Sequence, residues 1–228
     1  MDDAARLAVL AERAAAVVEH GMSIGLGSGT TAAATLRAIG ARVAAGLHVT
    51  GVPTSSRTER LARELGIPVR SLDEVDRLDL GVDGADEIDP RLDVVKGRGG
   101  ALLYEKLVAL ACDRYLIVAT SEKLVPRLGT RVPLPVEIVP LGWKLTAARL
   151  EAIGCRPVLR CVADGAPFVT DGGHFVLDCH TGPIADTFAF AASLKAVTGV
   201  IDHGLFAGYA DQAMIVEKDG TVTVLTRK

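Results

Sequence analysis

The chain has 228 residues, of which 49% are hydrophobic, so it can build one large hydrophobic core or two smaller ones. Its net charge is −3 and it has no long run of Lys or Arg. This composition argues against nucleic acid or an anionic membrane surface as the main partner, although it leaves room for a local cationic pocket.

The sequence shows no pattern typical of a membrane span, a signal peptide or a disulfide framework. No run of about 18 uninterrupted apolar residues occurs, and the first helical segment carries charges where a signal peptide would be apolar. The four cysteines show no C-x-x-C spacing, which indicates ordinary reduced thiols. We therefore expect a soluble cytoplasmic protein.

The first half of the chain alternates helical and strand patterns. Apolar spacing predicts a helix from Ala4 to His20 that stops at a left-handed cap on Gly21, then a strand from Met22 to Leu26. The next predicted elements are a helix ending near Ala45, strand 47–52, helix 55–65, strand 67–70, strand 78–82, helix 101–112 and strand 115–119. This βαβαβ succession predicts a doubly wound, mostly parallel α/β sheet with right-handed crossovers.

The second half changes character at residues 131–140, where three prolines bracket a short apolar strand. The elements expected after that strand are helix 144–153, strand 157–162, a hairpin around Asp171-Gly172-Gly173 and helix 187–197. This order resembles a split βαβ arrangement and predicts a second structural unit. A last hairpin, 213–217 with 221–226, is predicted to turn at Asp219-Gly220 in a type I′ turn and to complete or flank the main sheet.

Charged residues cluster around the strand at 78–82. Asp83 and Asp86 follow this apolar strand, at the carboxyl end where open α/β sheets place ligands. Lys96 lies in a glycine-rich segment, and the missing side chains of Gly97, Gly99 and Gly100 let backbone and ammonium approach a ligand closely. Glu105 falls early in the following predicted helix. Together these residues favour a small-molecule enzyme.

Each of these residues also has a purely structural interpretation. Asp83 and Asp86 sit in Asp-Gly and Asp-Glu sequences that commonly form turns or cap helices. Glu105 would be stabilising at a helix N-terminus even without a ligand. The functional interpretation rests on the combination of the two aspartates, the lysine and the glutamate.

The glycine loop at residues 25–31 matches neither the nucleotide P-loop order nor the dinucleotide fingerprint, because Thr30 stands where the latter needs its third glycine. Ser28, Thr30 and Thr31 could still present hydroxyls and helix N-terminal N–H groups to a phosphate. Anion binding and a merely tight turn both remain open for this loop. The five histidines lack metal-ligand spacing, so no metal and no cofactor are expected.

Several segments, taken in order, resemble the type A ribose-5-phosphate isomerases along nearly the whole chain. The matching segments are Gly25 through Thr31, Val52 through Ser55, Asp83 through Asp89, Lys96 through Lys106, Pro133 through Glu137, Val169 through Asp171, and Gly199 through Phe206. The resemblance implies a Rossmann-like catalytic domain at 1–130 and 202–228, and a smaller ferredoxin-like α+β domain at 131–201. It also implies metal-free aldose-ketose isomerisation of a phosphosugar and a homodimer or homotetramer.

Carried over by this resemblance, Glu105 is the general base, Lys96 stabilises the enediolate oxygen and Asp83 assists ring opening. The substrate-binding residues that the resemblance implies are Ser28, Gly29, Thr30, Thr31, Asp83, Gly84, Ala85, Asp86, Lys96, Gly97, Arg98, Gly99 and Lys123. Arg98 departs from the family pattern, which has a glycine there, and brings a second cation towards the pocket. The family's Asp-x-Ser-Lys order has become Thr120-Ser-Glu-Lys123, which keeps the lysine and adds Glu122.

Two other functions fit parts of the pattern. A sugar-phosphate-sensing module would share the fold, but it would need a DNA-binding partner domain and would have no obvious use for Glu105 with Lys96. Amino-sugar phosphate deamination on the same superfamily fold would release ammonia, which isomerisation does not.

Overall fold

The structure is a computed structural model that describes residues 1–228. The chain forms two compact units. The first comprises Met1–Ala85, Tyr104–Lys123 and Gly208–Lys228, and the second comprises Asp86–Leu103 and Leu124–Ala207. These limits differ from the domain limits expected from the sequence, 1–130 with 202–228 and 131–201, which stay a prediction.

Six helices and thirteen strands make up the regular structure. In chain order they are α1 (Asp3–Ala15), β1 (Ser23–Leu26), α2 (Thr30–Ala44), β2 (Thr50–Pro53), α3 (Ser56–Glu64), β3 (Leu80–Asp83), β4 (Glu87–Ile88), β5 (Val94–Val95), α4 (Leu102–Ala111), β6 (Tyr115–Thr120), β7 (Leu134–Ile138), α5 (Trp143–Ala152), β8 (Arg156–Leu159), β9 (Phe175–His180), α6 (Thr187–Lys195), β10 (Val200–His203), β11 (Leu205–Phe206), β12 (Gln212–Val216) and β13 (Val222–Thr226).

The first unit is built on a six-stranded sheet with the order β13-β12-β6-β3-β1-β2. All neighbours pair in parallel except β12 and β13, which form the antiparallel hairpin predicted at the chain end. The predicted α/β class and mostly parallel sheet are therefore confirmed. The hairpin extends the sheet at one edge, as the alternating sequence indicated.

Helices cover both faces of this sheet because successive strand side chains point in opposite directions. Ile24 and Leu26 of β1 join a core cluster with α1, α2 and α3 side chains. Gly25, between them, lies against Val108 of α4, which clusters with Val52 and Leu78. A Cβ at Gly25 would lie 2.6 Å from the Val108 side chain, so the glycine lets α4 pack closely on the sheet.

The second unit contains an antiparallel four-stranded sheet with the order β10-β7-β9-β8. The chain order of its elements is β7, α5, β8, β9, α6, β10, the βαββαβ succession of a ferredoxin-like fold. Side chains of α5 and α6 pack on β7 and β9, with Leu134, Val136, Leu150 and Leu194 all at 0% exposure. A three-stranded sheet, β11-β5-β4, was not predicted because its strands have only two residues each.

The predicted first helix is too long. It ends at Ala15 and not at His20, because the Arg42 guanidinium of α2 binds the carbonyl oxygens of Ala15 and Val18 and so replaces further helical bonds. Gly21 does have a positive φ of 90°, but its N–H donates to the His48 carbonyl and caps no helix.

Two other local predictions were wrong. The predicted strand at 67–70 is only an isolated bridge between Gly51 and Val69, since Pro68 cannot donate to a strand ladder. The last hairpin does not turn through a type I′ turn at Asp219-Gly220, because Gly220 has φ of +94° while Asp219 has no positive φ. Gly220 instead donates its N–H to the Glu217 carbonyl.

Candidate active site

Asp83 is the last residue of β3 and is 1% exposed. Its Oδ1 accepts hydrogen bonds from the backbone N–H groups of Ser28, at 3.1 Å, and Gly84, at 2.7 Å. Its Oδ2 accepts from the Tyr115 hydroxyl at 3.0 Å. The carboxylate is thus held in one orientation at the carboxyl end of the sheet, where doubly wound proteins bind ligands.

The close approach of β1 and β3 depends on Gly27. A Cβ at Gly27 would lie 2.3 Å from Asp83 Cγ and 2.6 Å from Asp83 Cα. No side chain fits in that space, so glycine is required where the loop after β1 passes the carboxylate.

A cluster of hydroxyl groups surrounds Ser28. Its Oγ lies 2.8 Å from Thr54 Oγ1, 2.8 Å from Ser55 Oγ and 3.0 Å from Thr58 Oγ1. Thr54 and Thr58 continue the network to the carbonyls of Leu26 and Gly27. The network fixes the loop after β1 from within the first unit.

The N-terminus of α2 follows this loop. Gly29 is the N-cap residue, with φ of +95°, and no side chain caps the helix, whereas Asp2, Ser55 and Asp186 cap α1, α3 and α6. Thr30 is exposed and Thr31 is half-buried. The first turn of this 15-residue helix therefore offers N–H groups and the positive end of a helix dipole to an anion.

Lys123 ends a short 3-10 turn, Ser121–Lys123, directly after β6. The preceding Glu122 accepts two hydrogen bonds from the Arg6 guanidinium of α1, at 3.1 and 2.9 Å. Arg6 also lies 3.2 Å from Asp3. The hydrogen bond from Arg6, followed by that from Thr120, lowers the pKa of Glu122 to about 2, so this carboxylate is ionised and paired at neutral pH.

Glu105 lies in the first turn of α4 and is 4% exposed. Burial is the main cause that raises the pKa of Tyr115 well above 10, and the charges of Asp83 and Glu105 raise it further. The Tyr115 phenol therefore stays protonated and donates to Asp83 throughout the neutral range. Two buried carboxylates and one buried phenol thus act on one another electrostatically in the first unit.

The second unit holds the other predicted residues. Lys96 is 3% exposed, its N–H donates to the Gly204 carbonyl at 2.8 Å, and its Nζ lies 5.7 Å from the centroid of the Phe206 ring. Asp86 is half-buried, and its Oδ2 accepts from the backbone N–H of Arg98 at 3.0 Å.

The glycine segment after Lys96 has the backbone that its sequence predicts. Gly97 and Gly100 have φ of +103° and +82°, which side-chain-bearing residues rarely adopt. Arg98 and Gly99 are exposed between them. This segment is a tight turn closed by a 2.9 Å hydrogen bond from the Gly100 N–H to the Gly97 carbonyl.

Among the predicted residues, the structure joins Ser28, Asp83 and Gly84 by hydrogen bonds in the first unit, and Asp86 with Arg98 in the second. Ala85 is half-buried and is the last residue of the first of the three segments that form the first unit. The sequence missed Tyr115 because its hydroxyl reaches Asp83 from a neighbouring strand, β6. It also missed the hydroxyls of the Thr54, Ser55 and Thr58 cluster, although Val52-Pro-Thr-Ser55 was among the segments that resemble the family.

No group of three or more His, Cys, Asp or Glu side chains is arranged to hold a metal ion. None of the six helices has both the length and the apolar character needed to cross a membrane.

The fold and these residues define a doubly wound α/β protein in which carboxylates and hydroxyls collect at the carboxyl ends of parallel strands. That edge is where proteins of this class bind small molecules. The sequence profile described as ribose 5-phosphate isomerase A (phosphoriboisomerase A) matches residues 50–220. The chain belongs to the ribose 5-phosphate isomerase A family.

Individual relatives agree with this assignment. A ribose-5-phosphate isomerase A from Roseiflexus castenholzii is 54% identical over 224 residues, covering 97% of this chain and 96% of the relative. One from Synechococcus is 50% identical over 216 residues, covering 94% of each chain. Among solved structures, a D-ribose-5-phosphate isomerase in complex with phospho-erythronic acid has a TM-score of 0.96 at 36% identity, with full coverage of both chains. The Plasmodium falciparum ribose 5-phosphate isomerase has a TM-score of 0.94 at 36% identity, also with full coverage of both chains.

Proposed function

We propose that this chain interconverts D-ribose 5-phosphate and D-ribulose 5-phosphate through an enediolate intermediate, in the non-oxidative pentose phosphate pathway. Family membership supports the reaction. The observation in the molecule that carries the proposal is that two buried carboxylates, Asp83 at the carboxyl end of β3 and Glu105 in the first turn of α4, both act electrostatically on the buried Tyr115 phenol. Aldose-ketose isomerisation needs such a carboxylate to move a proton between two adjacent carbons.

Glu105 is the general base of this proposal. It removes the proton from C2 of the open-chain aldose and returns it to C1, while the hydroxyl proton of O2 passes to O1, and the reverse transfers convert the ketose. Its position in a buried first helical turn keeps bulk water away from the carboxylate. Triosephosphate isomerase uses a glutamate in the same chemical role on a different fold.

Lys96 is assigned to the negative oxygen of the enediolate. Its ammonium belongs to a buried residue beside the glycine turn and supplies a positive charge, and the N–H groups of Gly97 and Gly99 supply further donors, while the Arg98 N–H is bound to Asp86. Charge that develops only during the reaction is stabilised most by groups held in advance in a site shielded from water.

Asp83 and Asp86 are assigned to the sugar hydroxyls, and Asp83 also assists ring opening. The three donors that hold Asp83 leave it an oriented acceptor, which a sugar hydroxyl can approach as a donor. Gly84 and Ala85 supply backbone between the two aspartates.

The substrate phosphate is assigned to Ser28, Gly29, Thr30 and Thr31 at the uncapped N-terminus of α2, with Lys123 as the cation. The absence of a side-chain cap on α2 supports this assignment, because the phosphate oxygens would accept the hydrogen bonds that a cap accepts elsewhere. Ser28 would contribute by holding the loop before α2 in place, since its N–H already donates to Asp83 and its hydroxyl already belongs to the cluster with Thr54, Ser55 and Thr58.

The same proposal includes the cytoplasm as the location and a homodimer or homotetramer as the assembly. The exposed thiol of Cys161 and the half-buried thiol of Cys112, neither in a disulfide, suit a reducing compartment. No metal and no cofactor enter the proposed reaction.

The experiment that tests the proposal is conversion of ribose 5-phosphate by the purified protein in the presence of a chelator, with Glu105→Gln beside the wild type. The variant should lose at least ~10²-fold in kcat while keeping its fold, as expected when a general base is removed. Glu64→Gln is the matched control, because Glu64 is exposed at the end of α3.

Near-normal turnover by Glu105→Gln would contradict the assignment of the base. Saturable binding of ribose 5-phosphate without turnover by the wild type would instead indicate the sugar-phosphate-sensing module, which the high identity to isomerases does not favour. Ammonia release from an amino-sugar phosphate would indicate the deaminase alternative.

A further inference from the structure

Arg160 makes a set of hydrogen bonds that the family assignment leaves without a role. It follows β8 in the second unit, and its side chain is 13% exposed. Its Nε and Nη2 donate to the two carboxylate oxygens of Asp178 on β9. Its Nη1 donates to the backbone carbonyls of Gly97, at 3.0 Å, and Arg98, at 3.1 Å.

These two carbonyls belong to the turn that follows Lys96. Because Gly97 and Gly100 have positive φ and carry no side chains, the turn has little conformational preference of its own. It is tied at Lys96 by the Gly204 carbonyl and at Arg98 by the Asp86 carboxylate. Arg160 fixes the carbonyl side of the same turn.

Phe168 also supports the glycine turn. The Arg160 guanidinium carbon lies 5.7 Å from the centroid of the Phe168 ring, and the Phe168 N–H donates to the Arg160 carbonyl at 2.8 Å. The ring fills the space beside Gly100, where a Cβ would lie 2.4 Å from its atoms. The glycine turn therefore packs against Arg160 and Phe168. Arg160 is hydrogen-bonded to Asp178 of β9, and Phe168 is hydrogen-bonded to Arg160.

The chemistry of the guanidinium suits this task. A planar guanidinium bonded to a carboxylate through two of its nitrogens still has donors on its third nitrogen. A lysine ammonium has no fixed fork and cannot reproduce this geometry. Asp178 neutralises the charge and orients the fork, so the pair delivers two oriented N–H donors to the turn.

We propose that Arg160, oriented by Asp178, is a positioning residue for the isomerisation: it holds the glycine turn, and through it Lys96, in the conformation that stabilises the enediolate. The inference rests on the proposed role of Lys96. Arg160 itself touches no reacting atom. Since Lys96 is assigned to charge that develops during the reaction, displacement of the turn lowers kcat more than it raises KM.

The test compares Arg160→Met, Arg160→Lys and Asp178→Asn with the wild type in steady-state turnover of ribose 5-phosphate. Arg160→Met should lower kcat by about 10- to 10²-fold and change KM by less than about threefold, the loss expected from a small misplacement of a catalytic group. Arg160→Lys should not restore kcat. Arg156→Met is the matched control, because Arg156 is exposed at the start of the same strand, and it should keep wild-type kinetics.

Chemical rescue separates positioning from general destabilisation. In Arg160→Ala, added millimolar guanidinium should recover part of kcat by refilling the fork, while the same salt should not help Arg156→Met or Lys96→Ala. Amide hydrogen exchange at Gly100, whose N–H closes the turn, should be faster in Arg160→Met than in the control.

Wild-type kcat in a folded Arg160→Met protein would overturn the inference, as would equal losses in Arg160→Met and Arg156→Met. If Arg160→Met does not fold, absence of guanidinium rescue in Arg160→Ala together with normal kcat in Arg160→Lys would overturn it. A wild-type protein without isomerase activity would instead overturn the proposed function. An active wild type with an inactive Lys96→Ala and a fully active Arg160→Met would overturn the positioning role alone.

Discussion

Lys96 and Lys123, the two lysines assigned to the site, differ in burial and in the local structure around them. Lys96 is buried next to a turn with a specialised backbone, while Lys123 is half-buried in a short turn after a strand and adjoins the paired Glu122. A preorganised cation in a site shielded from water stabilises charge that develops during a reaction, whereas a cation that binds substrate and transition state equally does not raise kcat.

The proposal therefore predicts different kinetic losses for the two lysines. Lys96→Ala should lower kcat by roughly 10²-fold or more, the loss typical of a removed oxyanion donor. Lys123→Ala should mainly raise KM, by about tenfold, because its contact with the phosphate is equally strong in substrate and transition state. Steady-state kinetics on ribose 5-phosphate measure both parameters. Equal changes of kcat and KM in the two variants would contradict this division.

The ion pair of Arg6 with Glu122 predicts a pH dependence of stability. The pKa of Glu122 is lowered to about 2 by its hydrogen bonds, so the pair's stabilisation is complete above the ordinary carboxyl pKa of 4.5 and is lost as pH falls towards 2. Replacement of Arg6 by Met removes the partner. The difference in free energy of unfolding between wild type and Arg6→Met should therefore shrink as the pH is lowered from 6 to 2.5.

Urea unfolding of both proteins at several pH values measures this difference. Arg13→Met is the control, since Arg13 is exposed on the same helix, α1. A constant difference over this pH range would show that Arg6 stabilises the protein by packing and not through the Glu122 carboxylate.

At the scale of elements, the chain leaves β1 through Gly27, which passes directly against Asp83 at the end of β3. Gly27→Ala should therefore displace Asp83 and destabilise the protein by about 1–3 kcal/mol or more, the usual cost of overpacking a buried site. Urea unfolding and the kcat for ribose 5-phosphate measure the two consequences. Gly99→Ala is the matched control for stability, because a Cβ there meets no atom within 4 Å. An unchanged free energy of unfolding in Gly27→Ala would contradict the geometry of this crossing.

The helices and strands show which parts of the secondary structure could be predicted from the sequence and which could not. The order of the longer helices and strands follows from hydrophobic periodicity, which each of these segments carries by itself. The end of α1 at Ala15 does not, because it depends on Arg42 of a different helix. The two-residue strands β4, β5 and β11 are too short for any periodic signal and exist only because they pair with one another.

At the scale of the whole molecule, the chain crosses repeatedly between its two compact units. Residues 86–103 of the second unit lie between parts of the first in sequence, so the proposed catalytic residues Asp83, Lys96 and Glu105 alternate between units along the chain.

The proposed assembly gives a prediction at this scale. Large apolar side chains are exposed on several elements, including Tyr104, Leu107 and Leu110 on α4, and association of copies would remove such area from water. Sedimentation at micromolar concentration should give a mass of a dimer or a tetramer, compared with 23.8 kDa for one chain. A single monomeric species at that concentration would contradict the homo-oligomer.

The sequence by itself determined the α/β class, the mostly parallel sheet and the last hairpin, and it predicted Asp83, Asp86, Lys96 and Glu105 as one functional set. These features are local: they depend on periodicity, glycines and neighbouring residues along the chain. Only the tertiary structure decided that Tyr115 orients Asp83 and that Arg160 supports the glycine turn. It also decided that the Ser28 hydroxyl joins the hydroxyl cluster of Thr54, Ser55 and Thr58. Those contacts join residues 26 to 63 positions apart, and no local pattern encodes which distant side chain will meet a given backbone group.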